Sequence, residues 1–167
     1  MLEQNLIKMY ERSFRENREM SAVTDYFTGE TYSYYGFAKE IAKLHIMFDE
    51  AGIKPNDKIA LIGRNTPRWC VVYIATITYG AVLVPIMQTF TSNDIAHIVN
   101  HSESRLLFLT DSFWEGLDEE ALPDIDGVFS LTDYHVIYSK ESKLEKFMKN
   151  LTKHYRTKYS NGFRVTD

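Results

Sequence analysis

The sequence has few of the features that mark secreted or nucleotide-binding domains. Its single cysteine, Cys70, cannot form an internal disulfide and fits a reducing cytoplasm. Neither G-x-x-x-x-G-K-[ST] nor G-x-G-x-x-G occurs, and the 8 glycines are scattered singly. The amino terminus does not resemble a secretory signal, because Lys8, Arg12, Arg15 and Arg18 interrupt every apolar stretch there. A disulfide framework is therefore excluded, and local motifs give nucleotide binding no support.

A large excess of charge of either sign is also absent. The net charge is -4 over 167 residues, too small and of the wrong sign for a nucleic-acid-binding domain. The charge is unevenly spread: residues 1–139 carry 11 basic and 20 acidic side chains, whereas residues 140–167 carry 8 basic and 3 acidic ones. The last segment is therefore expected to occupy a different surface from the rest.

One uncharged stretch has the length of a membrane span. Residues 70–87 contain 18 residues without a charge, the length at which a spanning helix becomes a candidate. Gly80 and Pro85 interrupt this run, and β-branched residues dominate its second half. We therefore interpret it as a buried helix followed by a buried, central strand.

Periodicity and capping residues predict an alternation of helices and strands. Ser33 and Thr91 suit the amino-terminal caps of helices, Thr66 with Pro67 opens a helix, and Gly80 ends it. The expected helices are 2–18, 34–51, 68–79, 92–102, 112–120 and 141–155. The expected strands are 22–27, 31–33, 58–63, 81–85, 106–109, 127–131 and 135–138. The helix over 68–79 is apolar almost all round, so deep burial is expected.

This order of elements predicts the fold class. Between residues 58 and 131 strands alternate with helices, which indicates parallel strands joined by right-handed crossovers. The predicted fold is α/β: a partial doubly wound, mostly parallel sheet with flanking helices, plus an amino-terminal helix and β-hairpin. We expect a single unit with three parts: helix, hairpin and helix (1–56), an alternating strand and helix core (57–139) and a basic amphipathic tail (140–167).

A parallel sheet places its ligand sites at the carboxyl ends of its strands. The loops after Gly63, Pro85 and Thr110 should therefore form the functional edge. Arg64 is the only cation expected there, and it is not assigned a catalytic role.

Two possible sites have simpler interpretations. His97 and His101 are one helical turn apart, a spacing that can bind zinc, but no third ligand is evident and a solvated helix face is favoured. Cys70 has no basic neighbour except Arg68, so a structural thiol is favoured over a nucleophile. We assign no catalytic, cofactor-binding or metal-binding residue in this chain.

Two charged segments are also ambiguous. An acidic run could attract a cation, but a solvated loop is favoured; it comprises Asp118, Glu119, Glu120, Asp124 and Asp126. A basic tail accompanies an apolar stripe over residues 141–159, with Lys143, Lys146, Lys149, Lys153, Arg156 and Lys158. Such a helix can lie on an anionic membrane surface, but packing on its own domain is favoured.

Three stretches resemble the adenylate-forming superfamily of acyl-CoA synthetases, luciferases and peptide-synthetase adenylation domains. Residues 31–37 look like the early T-Y-x-E-L motif, and residues 56–69 look like G-D-x-V-A-L-x-x-x-N-x-P-E-W, with Asn56 for glycine and Arg68 for glutamate. Residues 75–85 resemble A-x-x-x-A-G-A-V-x-V-P. The continuation T-x-x-x-x-x-I-x-x-I-x-x-x-S is matched by Thr89, Ile95, Ile98 and Ser102.

The resemblance covers about residues 22–111, and two details are most similar to long-chain fatty-acyl-CoA ligases. These are the Asn65, Pro67 and Trp69 triplet and the Val84-Pro85 pair. Family members use Mg²⁺ and ATP to form an acyl-adenylate, which coenzyme A then converts to a thioester. The resemblance implies that the phosphate loop and the catalytic lysine lie further along the family's longer chains. The chain is therefore expected to be a truncated form or natural fragment, inactive alone and binding none of these cofactors.

The same resemblance sets the expected partners and the alternatives. We expect contact with the remainder of its own chain, a fatty acid as the substrate of the parent enzyme, and no nucleic acid. A homodimer through an exposed sheet edge and a weak membrane-surface contact are further expectations, with a cytoplasmic or membrane-peripheral location. The alternatives are a stand-alone, non-catalytic α/β binding module and another adenylate-forming enzyme, such as a peptide-synthetase adenylation domain.

Overall fold

A computed structural model describes residues 5–117 and 119–165 of the chain. Within these residues the helices are α1 (Leu6–Glu16), α2 (Tyr34–Glu50), α3 (Pro67–Tyr79), α4 (Ser92–His101), α5 (Ser142–Met148) and α6 (Leu151–Lys158), with a 3-10 helix at Asp111–Gly116. The strands are β1 (Ser21–Thr24), β2 (Thr31–Ser33), β3 (Lys58–Ile62), β4 (Val82–Ile86), β5 (Ser104–Leu109), β6 (Gly127–Ser130) and β7 (Val136–Ser139). Strands β1 and β2 form an antiparallel hairpin.

The main sheet has the strand order β4-β3-β5-β6-β7 in the described part of the chain. Strands β4, β3, β5 and β6 are mutually parallel, and β7 joins β6 in the antiparallel direction. One face packs against α2, α3, α5 and α6, and the other packs against α4 and the 3-10 helix. The predicted α/β fold, with a mostly parallel sheet covered by helices on both faces, is confirmed.

The local signals for helix ends act as the sequence predicts. The Ser33 hydroxyl oxygen accepts the Gly36 N–H at 3.1 Å, and the Thr66 oxygen accepts the Trp69 N–H at 3.2 Å. Gly80 ends α3 with φ of 88°, in the left-handed region that glycine tolerates. These bonds satisfy backbone groups that have no partner inside the helix.

The prediction that β4 is a central strand is wrong. Strand β4 lies at the edge of the main sheet, with β3 as its neighbour. The Val82 N–H donates to Asp57 O at 2.8 Å. The backbone N–H and C=O groups of Val82 and of every second residue after it therefore point towards β3. The backbone of Leu83 and Pro85 therefore points away from the sheet. An edge strand tolerates proline at a position whose backbone points to solvent, because proline has no N–H that would be left unpaired. Pro85 occupies such a position.

Helix α3 is less enclosed than its composition suggested. Its inner residues are buried, but Trp69, Cys70, Tyr73 and Ile77 are partly exposed. Because α3 lies over the edge of the sheet, no described element covers its outer side completely. The expected sequence of a buried helix followed by a strand over residues 70–87 is otherwise confirmed. Among the described residues, no helix combines the length and apolarity needed to cross a membrane.

The helix predicted over 141–155 is interrupted. Helix α5 ends at Met148 and α6 starts at Leu151, because the Asn150 side chain donates to Lys146 O at 3.2 Å and its N–H donates to Phe147 O at 2.9 Å. Such local bonds compete with helix continuation. The predicted packing of this tail on its own domain is confirmed, since Leu144 and Leu151 are buried in the core beside α2.

Two other helices are shorter than predicted. The helix expected over 112–120 is a 3-10 helix that ends at Gly116, and residue 118 lies outside the described residues. Gly116 packs closely on α4, since a Cβ there would come within 3.2 Å of Ser92 Cβ. The helix expected over 2–18 spans Leu6–Glu16, and residues 1–4 lie outside the described part.

His45 joins α2 to α3 through a hydrogen bond donated by its Nε2–H, on a ring that is mostly buried between the two helices. Its Nε2 lies 3.0 Å from Ala75 O and 3.1 Å from Thr78 Oγ1. Burial lowers the pKa of His45, which outweighs the effect of the Ala75 carbonyl in raising it. As pH falls below about 6.5, the unfolded chain therefore takes up a proton at this ring before the folded chain does.

We predict that His45→Gln lowers the free energy of unfolding by about 1 kcal/mol at pH 8, where the wild-type ring is neutral in both states. The difference from wild type should shrink between pH 6.5 and pH 5, because only wild type loses stability through this ring. Urea denaturation at pH 8, 6 and 5 measures both values. A difference that stays constant over this range contradicts the assignment.

Candidate active-site edge

The carboxyl ends of the parallel strands meet at one edge, as predicted. The Thr110 N–H donates to Ile62 O at 3.1 Å and the Leu131 N–H donates to Leu109 O at 2.8 Å, so the segments that follow β3, β5 and β6 are neighbours. Gly63 lies between them, and a Cβ at this position would come within 2.7 Å of Thr110 Oγ1 and 2.6 Å of Leu131 Cδ1. The edge is closely packed behind its surface.

Arg64 lies on this edge, but its side chain binds residues of the β1–β2 hairpin. Its Nη2 forms an ion pair with Asp25 Oδ2 at 2.8 Å, and its guanidinium carbon lies 4.7 Å from the centre of the Phe27 ring. Asp25 also accepts the N–H groups of Phe27 at 2.8 Å and Thr28 at 3.2 Å. Only 5% of the Asp25 side chain is exposed. Arg64 therefore fixes a loop through one of its guanidinium nitrogens, while 47% of its side chain is exposed.

Electrostatics agrees with this structural role of Arg64. Burial acts to raise the pKa of Asp25, but the hydrogen bonds from Phe27 and Thr28 together with the charge of Arg64 outweigh it and lower the pKa. Asp25 thus stays charged at neutral pH. Beside it, Tyr26 and Phe27 pack edge-to-face at a centroid distance of 5.5 Å, and both are exposed at the hairpin tip.

A second arginine makes a similar connection. Arg68 Nη2 pairs with Glu30 Oε1 at 2.7 Å, on the second strand side of the same hairpin. The carbonyl of Arg68 accepts the Tyr134 hydroxyl at 3.2 Å, and burial raises the pKa of Tyr134 well above its ordinary value. Both arginines thus hold the hairpin, and the Arg68 backbone also holds the β6–β7 connection against the start of α3.

A polar cluster that the sequence did not predict follows β5 and β6. The Ser130 hydroxyl donates to Asp111 Oδ1 and accepts the Thr132 N–H at 2.9 Å. His135 Nδ1 lies 2.6 Å from Asp133 Oδ1, and its Nε2 lies 3.8 Å from Asp111 Oδ2. A hydrogen bond from the His135 N–H lowers the pKa of Asp133, and burial opposes this effect only partly.

This cluster does not have the geometry of a nucleophilic triad. Ser130 is completely buried and its hydroxyl faces Asp111 instead of His135. A nucleophile must contact its base and be reached by substrate, and neither holds here. The signal available in the sequence was position alone: Asp111 and Ser130 each fall at the carboxyl end of a predicted strand.

A cavity of about 620 Å³ lies beside this cluster between α2, the β6–β7 connection, α5 and α6. Its charges are mostly paired at short range: Lys43 Nζ lies 2.6 Å from Glu40 Oε1 and Lys149 Nζ lies 2.7 Å from Glu145 Oε1. Lys153 and Arg156 also line it. The tail thus presents its cations outward while its apolar stripe is used in packing.

The remaining sequence candidates are separate from this edge. His97 and His101 are both exposed on α4, opposite its buried residues Ile95 and Val99. Cys70 is half-buried, and burial raises the pKa of its thiol, as expected for a structural cysteine. Glu119, Glu120 and Asp124 are exposed, and Asp126 pairs with an arginine of β5. Asp118 lies outside the described residues.

Known protein families agree with this architecture. The model of the family described as "AMP-binding enzyme" matches residues 10–160. The chain belongs to the AMP-binding enzyme family. Its assignment to the adenylate-forming superfamily from sequence motifs is therefore confirmed. The match includes the hairpin, the whole main sheet and the basic tail up to residue 160.

Similar curated proteins are acyl ligases. The fatty acid–[acyl-carrier-protein] ligase ScoC of Streptomyces coeruleorubidus is 29% identical over 101 residues, which are 60% of this chain and 20% of ScoC. Long chain acyl-CoA synthetase 1 of Arabidopsis thaliana is 27% identical over 81 residues, which are 48% of this chain and 12% of that protein. The chain thus spans about a fifth or less of the length of these relatives.

Solved structures share the fold of this chain. The anthranilate CoA ligase AuaEII, determined with anthranoyl-AMP, superposes with a TM-score of 0.71 at 14% identity, over 78% of this chain and 25% of that one. Coronafacic acid ligase from Pectobacterium brasiliense gives a TM-score of 0.70 at 18% identity, over 76% and 25%. The AMP-binding chain described here therefore has the fold of about one quarter of such a ligase.

We predict that Arg64→Met loosens the hairpin of this AMP-binding chain without unfolding the sheet. Removal of the guanidinium leaves the buried Asp25 without its ion-pair partner, so local opening should become more frequent. Limited chymotrypsin digestion should then cut after Tyr26 or Phe27 several-fold faster than in wild type.

The matched control for this experiment is Arg12→Met. Arg12 forms an exposed pair with Glu16 at 3.0 Å within α1, away from the hairpin contacts, so its loss should leave cleavage at the hairpin unchanged. Equal digestion rates for wild type and Arg64→Met would show that the ion pair does not hold the hairpin.

Proposed function

We propose that this chain is the amino-terminal scaffold part of an ATP-dependent, AMP-forming acyl-CoA ligase. The observation that carries the proposal is the family match over residues 10–160, combined with the small share of each relative that the chain spans. The parent enzyme would join a carboxylate to ATP, release pyrophosphate, and pass the acyl group to coenzyme A. Fatty acids are the proposed substrates, supported by the printed activities of ScoC and the Arabidopsis synthetase.

The charges on the edge support a scaffold role. Attack of a carboxylate on an anionic phosphate requires cations and aligned donors around the reacting atoms. Arg64 and Arg68 are close to the edge, but each is paired with a carboxylate of the hairpin. The groups that hold ATP, Mg²⁺ and coenzyme A are therefore proposed to lie in the remainder of the parent protein.

The exposed side of α3 and β4 is the proposed contact surface for that remainder. Trp69 and Tyr73 are partly exposed on α3, while Val82, Met87 and Phe90 are exposed along β4 and just after it. Several exposed apolar side chains on neighbouring elements are usual at an interface. Without its partner, the chain is proposed to cover these side chains with a second copy and form a homodimer.

The basic tail supports a second, weaker contact. Helices α5 and α6 have their apolar residues packed on α2, so the exposed cations could approach an anionic membrane surface only electrostatically. We propose a cytoplasmic protein whose tail has at most a weak, salt-sensitive contact with such a membrane. Since the apolar stripe is used inside the domain, insertion into the lipid is not proposed.

Pyrophosphate exchange tests the proposed activity. With ATP, Mg²⁺ and a fatty acid, the 167-residue chain should give no exchange of labelled pyrophosphate into ATP, and the protein encoded by the complete reading frame should give exchange that depends on the fatty acid. A control without fatty acid sets the background. Exchange by the 167-residue chain alone, or none by the complete protein with any carboxylate, would contradict the proposal.

Light scattering tests the proposed homodimer. We predict a concentration-dependent rise towards the dimer mass that Val82→Glu suppresses, because Val82 is 44% exposed on the edge strand and a charge there would be buried between the two copies. Leu6→Glu is the matched control, since Leu6 is 50% exposed but lies on α1. A strict monomer at high concentration, or equal effects of both changes, contradicts this interface.

A further inference from the structure

The outer face of α4 carries two imidazole side chains. His97 and His101 are separated by four residues, which places them on the same side of the helix about 6 Å apart along its axis. This spacing alone does not identify a metal site, because two histidines four residues apart more often lie on an exposed helix face without binding an ion. The structure adds the orientation of the helix and of the two rings.

The orientation of α4 is fixed by its buried face and its amino-terminal cap. Ile95 and Val99 are both buried in the core beneath the sheet. At the start of the helix, the Thr91 N–H and hydroxyl donate to Asp94 Oδ2 at 3.0 and 2.7 Å, and the Asp94 N–H donates to Thr91 Oγ1 at 3.3 Å. The helix therefore cannot rotate freely, and the side opposite Ile95 and Val99 stays in the solvent.

The two rings on that side face each other. Their centroids are 5.7 Å apart and their planes are inclined by only 11°. Neither ring makes a hydrogen bond to another group within residues 5–117 and 119–165, so the nitrogens of both rings are available to a ligand. Two imidazole nitrogens one helical turn apart can reach a single ion at the usual distance of about 2.0–2.1 Å by small side-chain rotations.

We propose that His97 and His101 form a two-histidine chelate for a late first-row divalent metal ion, with water completing the coordination. The expected order of affinity is Cu²⁺ above Zn²⁺ and Ni²⁺, because imidazole is a borderline-soft ligand and complex stability follows this series. This pair should not bind Mg²⁺ or Ca²⁺, since these ions require oxygen donors.

The surroundings limit the site to these two protein ligands. Asp94 is one turn earlier, but its Oδ2 is held by Thr91. Among the described residues there is no group of three or more His, Cys, Asp or Glu that could hold a metal ion. Both histidines lie in the second half of α4, and His101 is its last residue, where the negative end of the helix dipole favours a cation. The site is independent of the proposed ligase function, which needs Mg²⁺.

Thermal unfolding and isothermal titration with CuCl₂ and ZnCl₂ test the proposal on the 167-residue chain. Metal bound only by the folded state should raise the unfolding midpoint by at least about 2 °C at saturating concentration, with one Cu²⁺ bound per chain. The shift should be absent with MgCl₂.

Two single variants and one rearranged variant locate the site. His97→Gln and His101→Gln should each abolish the metal-dependent shift, and both positions are exposed, so the fold should be retained by circular dichroism. The matched control is the double change Asn93→His with His97→Gln. It keeps two histidines on the exposed face of α4 but separates them by eight residues, about 12 Å, which is too far for one ion.

The outcomes separate chelation from general binding by histidine. Loss of the shift in both single variants and in the rearranged variant supports the chelate. An undiminished shift in the rearranged variant, or in either single variant, would overturn it, because any pair of surface imidazoles would then suffice. The absence of any Cu²⁺-dependent shift in wild type at pH 8 would overturn it directly.

Discussion

A parallel sheet has to be covered on both faces, and this constraint determines most of the structure. Strands β3 and β5 have several side chains with no exposed surface on either side of the sheet, including Ala60 and Leu61 in β3 and Leu107 and Phe108 in β5. Helix α3 must therefore cover one face and α4 the other, because each crossover supplies one layer. The apolar sequences of these strands and the amphipathic pattern of α4 are consequences of that arrangement.

The arrangement of the strands also shows which edge of the sheet is closed by side chains and which edge lacks a neighbouring strand. At the amino ends of the strands, Arg105 binds Asp57 at 3.0 Å, Asp126 and the carbonyl of Gly52 at 2.9 Å, so one guanidinium joins β3, β5 and β6. At the lateral edge, β4 has no second neighbour among the described elements, and Pro85 limits strand addition there. An interface on this side must therefore be made mainly by side chains of α3 and β4.

Local features were predictable from sequence because their causes are local. The caps at Ser33, Thr66 and Thr91 and the end of α3 at Gly80 depend on residues within one turn. The edge position of β4 was harder to predict, because a buried crossover strand and an apolar edge strand can have the same composition. Pro85 was the available signal, since proline is rare in central strands.

The candidate edge was predictable in position but not in chemistry. Topology alone places the residues after β3, β5 and β6 together, so Gly63, Arg64 and Thr110 were found from the order of elements. The partner of Arg64 is 39 residues away, in a hairpin whose position over the sheet no local pattern encodes. This pairing decides the role of the edge. If the Arg64 guanidinium turned towards another anion, the buried Asp25 carboxylate would lose its ion-pair partner, so holding the hairpin and binding an anion are competing roles for this side chain.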